Sequence, residues 1–154
     1  KAKEIGYETT LISAGRTIND YMHEYLVEQI LFHISKREIH IKNEEILLLG
    51  LSYKSNCGDI RNSKLINLVE KIKNKNINIT IVDPQVNQEE VLKKTGLLSL
   101  KKIPLKKKFT VIIFALNHKE FSELSNNKLL EFSFKETLIF DLTNNLSGKN
   151  IIHL

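Results

Sequence analysis

The stretch Ile46–Ser63, ILLLGLSYKSNCGDIRNS, constrains the chain more than any other. Its apolar run, Ile46–Leu49, closes at Gly50. Unbroken apolarity over so few residues is what a parallel strand covered on both faces requires. A polar loop carrying Lys54, Asp59 and Arg61 follows, and helical spacing begins near Ser63, with Leu65, Ile66, Val69 and Ile72 on one face. Strand, loop and helix in that order predict one unit of an α/β sheet, in which ligands sit outside the carboxyl ends of the strands. Lys54 offers a mobile point charge there and Arg61 a planar fork. Beside a helix N-terminus the two suit a diphosphate. The competing assignment pairs Arg61 with Asp59 and leaves Lys54 in solvent; spacing does not choose between them.

The alternation repeats downstream. Ile79–Val82 predicts a second strand, closed by Asp83-Pro84 because proline cannot continue it. Asn87 with Glu90 has the capping-box spacing and opens a short helix ending before Gly96. Val111–Leu116 predicts a third strand, after which Asn117 with Glu120 repeats the capping pattern for a helix through Phe121 and Leu124. A helical stretch follows around Leu129–Phe132, then a strand at Leu138–Phe140 ending at Asp141, and a last short one at Ile151 and Ile152. Upstream, residues 1–8 read as the tail of a helix stopped by Gly6. Residues 11–35 read as a helix about twice the usual length. Ile18, Met22, Leu26 and Ile30 form one apolar ladder on it, and Val27, Leu31 and Ile34 a second, which suits burial on two sides. The fold class this predicts is α/β: a long N-terminal helix, then a Rossmann-like, mostly parallel sheet with helices on both faces. The division falls between a helical segment, residues 1–38, and a sheet domain, residues 43–154.

Composition excludes several classes. No apolar run approaches the roughly eighteen residues a membrane-spanning helix needs. The single Cys57 rules out an internal disulfide and offers no metal-ligand spacing, and a reducing cytoplasm is the simplest compartment. The opening KAKEIGYE has no initiator Met and no secretory pattern, which predicts a piece of a longer protein. A net charge of +5 favours anionic partners in general. Much of it sits at Lys101, Lys102, Lys106, Lys107 and Lys108, with no aromatic residue interleaved, so a solvated loop is the better reading than a nucleic-acid surface. No Gly-x-Gly-x-x-Gly is present. Asp83 stands where a ribose-binding acid would, although a turn residue ahead of proline fits it better. His118 reads as a helix-start residue rather than a base, and His23 and His33, ten apart, are no metal pair. The residues alone thus describe an anion-binding α/β domain without a catalytic set.

GLSYKSNCGDIRNS also resembles the Gly-Leu-[Thr/Ser]-[Phe/Tyr]-Lys-x-x-x-x-Asp-x-Arg-x-Ser signature that opens the C-terminal domain of the UDP-glucose/GDP-mannose dehydrogenase family. AGRTINDYMHEYLVEQI is similar to that family's long central helix, TIVDPQV to its second strand and ALNHKEF to its third strand and turn. The Asn56-Cys57-x-Asp59 variant is nearest to the branch acting on UDP-N-acetylhexosamines. The resemblance implies that Tyr53 and Lys54 contact the UDP-sugar, that Arg61 reaches the NAD cofactor, and that the long helix carries a homodimer contact. It implies that the catalytic cysteine and the NAD-binding glycine loop lie upstream of Lys1, so that Cys57 is not the nucleophile. The full-length reaction it implies is two NAD-dependent oxidations of the sugar C6 alcohol to a carboxylate, through a cysteine-bound thiohemiacetal and thioester. Products of that kind feed surface polysaccharide. Near Asp141 the family often continues with a lysine or arginine that touches the substrate; here the run is DLTNNL, with Thr143 and Asn144. The alternative of another class is a non-catalytic nucleotide-binding or dimerisation module.

Overall fold

The computed structural model of the chain describes residues 10–36, 45–124, 126–148 and 150–154. The expected Gly6 cap and the boundary between residues 38 and 43 lie outside them. The described elements are α1 (Thr10–Ser35), β1 (Glu45–Leu49), α2 (Leu65–Asn74), β2 (Asn78–Val82), α3 (Gln88–Thr95), β3 (Ser99–Leu100), β4 (Phe109–Phe114), a 3-10 turn at Lys119–Phe121, α4 (Asn126–Glu131), β5 (Ser133–Asp141) and β6 (Ile151–His153).

The strands form one six-stranded sheet in the order β3-β2-β1-β4-β5-β6. Every pairing is parallel, with Leu48 beside Ile81 on one side and beside Ile113 on the other. Alternate side chains then divide between two cores. Ile46, Leu48, Ile81, Val111, Ile113, Leu138 and Phe140 face Val27, Ile30 and Ile34 of α1, Leu68, Val69 and Ile72 of α2, and Val91 of α3. Leu47, Leu49, Val82, Ile112, Phe114 and Ile139 face Phe121 of the 3-10 turn and Leu129 of α4. The continuous apolar runs follow from this: a strand covered on both faces has no polar side to show.

Local signals account for both ends of α3. The Asn87 side chain accepts hydrogen bonds from the N–H groups of Glu89 and Glu90 at 2.9 and 3.1 Å, satisfying donors that the first turn of α3 cannot. Gly96 closes that helix with φ 70. Two expectations need correction. Asn117 does not cap a helix: the segment makes only the 3-10 turn, preceded by His118, and its N–H groups are satisfied by the loop after β1 instead. The two-residue β3 was not foreseen, since Ser99 and Leu100 are too few to carry a period. Among the described side chains of α1, Val27, Ile30 and Ile34 are buried, while Leu11, Ile18, Tyr21 and Tyr25 are exposed.

Candidate functional site at the β1 and β4 loops

Strand order 3-2-1-4-5-6 reverses direction between β1 and β4, and the crevice outside that reversal is where open parallel sheets bind ligands. The loops bordering it follow Leu49 and Phe114. Gly50 makes the turn out of β1 with φ 92, and a Cβ there would stand 2.6 Å from the Leu116 Cβ. Glycine is therefore required twice over, by backbone angle and by space. Gly58 is needed for closeness alone, because a Cβ would meet the Gln85 carbonyl oxygen at 2.7 Å.

The loop after β1 closes on itself where the Tyr53 N–H donates to the Asp59 carbonyl at 2.8 Å. One limb presents Tyr53, 58% exposed, and Lys54, also exposed. The Lys54 ammonium has no partner among the described residues. The other limb carries Arg61, whose Nε and Nη2 donate to the Asp59 carboxylate at 3.0 and 2.7 Å. The guanidinium remains 77% exposed. Hydrogen bonds from Arg61 hold the Asp59 carboxyl down at about 2. The two cations thus sit on joined limbs of one loop, with Arg61 paired and Lys54 open. Cys57 is free and partly exposed in the same loop.

Beneath the loop lies a buried polar junction. Asp83, at the end of β2, is fully buried. Its Oδ2 accepts from the N–H groups of Leu51 and Ser52 at 2.7 and 2.9 Å. Its Oδ1 accepts from Gln85 and Val86 at 2.9 and 3.3 Å. His118, also fully buried, places Nε2 at 3.3 Å from Asp83 Oδ2 and 3.4 Å from Ser52 Oγ. Its Nδ1 accepts from the Asn56 N–H at 2.9 Å. A nitrogen that accepts carries no proton, so the proton is on Nε2 and is shared toward Asp83. Burial pushes the Asp83 carboxyl up, but the His118 hydrogen bond and the Leu51, Gln85 and Ser52 N–H groups outweigh it and bring it to about 2.

This junction agrees with the preferred reading of Asp83 and corrects that of His118. Asp83 is a turn-holding group and not a ribose-binding acid, because both oxygens are already occupied by the protein. His118 does more than start a helix: it joins the β1, β2 and β4 loops. It is no serine-type relay either, since a relay needs the hydroxyl and the carboxylate on opposite ring nitrogens, and here both meet Nε2. Asp83 was legible as the end of a strand and the start of a turn, but its Leu51 and Ser52 donors stand 32 and 31 residues upstream and no local pattern announces them. Among the described residues no cluster of His, Cys, Asp or Glu could hold a metal ion.

Residues 47–148 match the sequence pattern of the UDP-glucose/GDP-mannose dehydrogenase family, UDP binding domain. The chain belongs to this family. It is 34% identical over 142 residues to the UDP-N-acetyl-D-glucosamine 6-dehydrogenase of Pseudomonas aeruginosa, covering 92% of this chain and 33% of that protein. It is 34% identical over 123 residues to Protein CapL of Staphylococcus aureus, covering 80% and 29%. The chain therefore spans about a third of the length of the curated relatives it matches. In fold it is similar to the UDP-D-ManNAc dehydrogenase from Pyrococcus horikoshii, with a TM-score of 0.72 and 22% identity over 99% of this chain and 35% of that one.

Within this UDP-binding domain the lysine run is largely spent on structure. Lys101 Nζ donates to the Pro84 and Val86 carbonyls, Lys107 pairs with Glu45 at 2.8 Å, and Lys108 lies over the Phe134 ring. That engagement breaks up the run as a continuous basic surface. No described helix is long and apolar enough to cross a membrane. At the end of β5, Asp141 accepts from Thr143 N–H and Oγ1 and from Leu146 N–H, so the segment that departs from the family pattern is folded around a carboxylate.

Proposed function

We propose that this chain is the UDP-sugar-binding, C-terminal portion of an NAD-dependent 6-dehydrogenase that oxidises the C6 alcohol of a UDP-N-acetylhexosamine to a carboxylate in the cytoplasm, for surface polysaccharide. Tyr53 and Lys54 are the substrate-binding residues, with the tyrosine ring against the nucleotide or sugar and the ammonium on a phosphate. The observation that carries this is an exposed Tyr53 beside a Lys54 whose ammonium has no partner among the described residues, on the loop that borders the reversal of strand order. The names of the relatives support the sugar class.

NAD fits this chain through one group. Arg61 is exposed and offers a fork matched to a phosphate, with Asp59 as its partner until the cofactor arrives. Bound NAD would supply the hydride acceptor; this chain would contribute orientation and charge. By itself the chain would bind and dimerise without turning over, because its one cysteine is in the Asp59 loop and not in a nucleophile's setting. Residues 1–38 would carry the homodimer contact and residues 43–154 the substrate domain. The exposed Leu11, Ile18, Tyr21 and Tyr25 of α1 support that contact.

Calorimetric titration with UDP and UDP-N-acetylglucosamine tests the reading. The 154-residue chain should bind both, and Lys54→Ala should weaken binding by at least about tenfold, since a charge-assisted hydrogen bond is worth roughly 1.5–3 kcal/mol. Equal affinity for the variant, or no heat from either nucleotide, removes the assignment. Salt-sensitive binding of random oligonucleotides without UDP binding would put a nucleic-acid surface in its place.

A further inference from the structure

We propose that His118 is a positioning residue: its Nδ1 holds the Tyr53–Lys54 loop in the shape that receives a uridine diphosphate, so that affinity depends on a side chain that never touches the ligand. This rests on the substrate-binding role of Tyr53 and Lys54 given above, and goes beyond it by naming what orders them.

Neither Tyr53 nor Lys54 is placed by its own side chain, since one is 58% exposed and the other has no partner among the described residues. Their position comes from the backbone between Ser52 and Asn56. Asn56 turns that backbone with φ 57, a left-handed conformation that asparagine tolerates but that still needs support. The support comes from the β4 loop. His118 Nδ1 accepts from the Asn56 N–H at 2.9 Å, Asn56 Oδ1 accepts from the Lys119 N–H at 2.8 Å, and Ser55 Oγ accepts from the Asn117 N–H at 3.1 Å. Of these three, the imidazole contact is the one made by a fully buried side chain.

Asp83 makes that contact possible. A carboxylate only accepts hydrogen bonds, so it selects the tautomer with the proton on Nε2 and leaves Nδ1 unprotonated for Asn56. The same Asp83 oxygen holds the Leu51 and Ser52 N–H groups at the root of the loop. One buried pair therefore fixes the loop at its root and at its tip. A ligand that meets an ordered loop does not have to spend binding free energy on ordering it.

The competing role for His118 is to fill space against Phe121, whose ring lies edge-on at 5.4 Å. Two amide variants separate the roles. In His118→Asn the Oδ1 atom occupies the place of Nδ1 and still accepts from Asn56. In His118→Gln the amide reaches toward Asp83 but offers Asn56 nothing. Both variants should lose thermal stability. UDP affinity by calorimetry should stay within about threefold of the parent chain in His118→Asn and fall about tenfold in His118→Gln, the factor that 1.4 kcal/mol sets. Amide hydrogen exchange at Asn56 should quicken in His118→Gln alone. Equal losses of affinity in the two variants, or losses that follow the fall in Tm, would overturn the positioning role. A chain that binds no UDP would sink the substrate-binding reading separately; exchange at Asn56 then still decides, with equal rates in both variants refuting His118 as the loop's anchor. The imidazole nitrogen spectrum gives an independent reading: a proton on Nδ1 in the parent chain would refute the proposal outright.

Discussion

Asp83→Asn isolates the group on which the site's architecture depends. The substitution keeps volume and replaces one acceptor oxygen by an NH2 donor. Whichever way the amide turns, that donor faces N–H groups: Leu51 and Ser52 at one oxygen position, or Gln85 and Val86 at the other. Each buried donor left without an acceptor costs roughly 1–3 kcal/mol, so two of them should remove about 3–5 kcal/mol of stability. Urea denaturation followed by circular dichroism measures it. With an m-value of about 1–3 kcal/mol/M the midpoint should fall by roughly 2 M. The pH dependence supplies a check that volume cannot imitate. In the folded protein the Asp83 pKa lies at about 2 against an ordinary 3.8. A lowered folded pKa means that the carboxylate's contribution is complete above the unfolded value and is lost as pH falls toward the folded one. Nearly two units correspond to roughly 2 kcal/mol. The stability gap between parent and Asp83→Asn should therefore narrow by about that amount between pH 4 and pH 2. Asp59, also at about 2, titrates in both proteins and drops out of the difference. A gap below about 1 kcal/mol at neutral pH, or one that does not change between pH 4 and pH 2, would refute the view that this carboxylate holds the loops.

Two further outcomes follow from the same geometry. Arg61→Ala should return the Asp59 carboxyl from about 2 toward its ordinary 3.8 in an NMR titration, and in the full-length protein should raise KM for NAD more than KM for the sugar; equal effects on both would leave Arg61 a surface ion pair. The chain should sediment as a dimer, and Ile18→Asp with Tyr25→Asp, both exposed on α1, should make it a monomer with an intact sheet; a monomeric parent would remove the helix as the dimer contact.

How far the sequence could be read depended on the range over which each structure is determined. The core strands and the capped α3 were legible because both signals are local: an apolar run that needs two covered faces, and an asparagine two and three residues ahead of the N–H groups it satisfies. The loop after β1 was legible as the link between a strand and a helix; family resemblance singled out Tyr53, Lys54 and Arg61 on it, while spacing left Arg61 undecided between ligand and Asp59, with which the structure pairs it. What stayed hidden was the polar junction. Asn117 and Glu120 have the spacing of a capping box, yet the N–H groups they would serve are taken by Ser55 and Asn56, more than sixty residues away in the chain. Tertiary donors and acceptors outcompeted the local pattern there, as they do wherever two loops converge on one crevice.

The two buried strand-end aspartates show what such convergence adds. Parallel strands end with N–H groups that turn away from the ladder and need acceptors, and a carboxylate at the strand tip is a compact way to supply several. Asp141 does this within its own loop, accepting from Thr143 and Leu146 with His153 3.6 Å away on the neighbouring strand. Asp83 does it across three loops, taking donors from the β1 loop, from its own turn and from His118. The difference lies in which donors reach each carboxylate. In sheet order the two are equivalent, β2 lying beside β1 and β5 beside β4, the two strands that border the reversal. Asp83 holds N–H groups of the ligand-facing loop, while the N–H groups Asp141 holds belong to its own. On this reasoning the segment from Asp141 to Leu146 is free to differ from the family pattern without disturbing Tyr53 and Lys54, and a substitution at Asp83 or His118 is not.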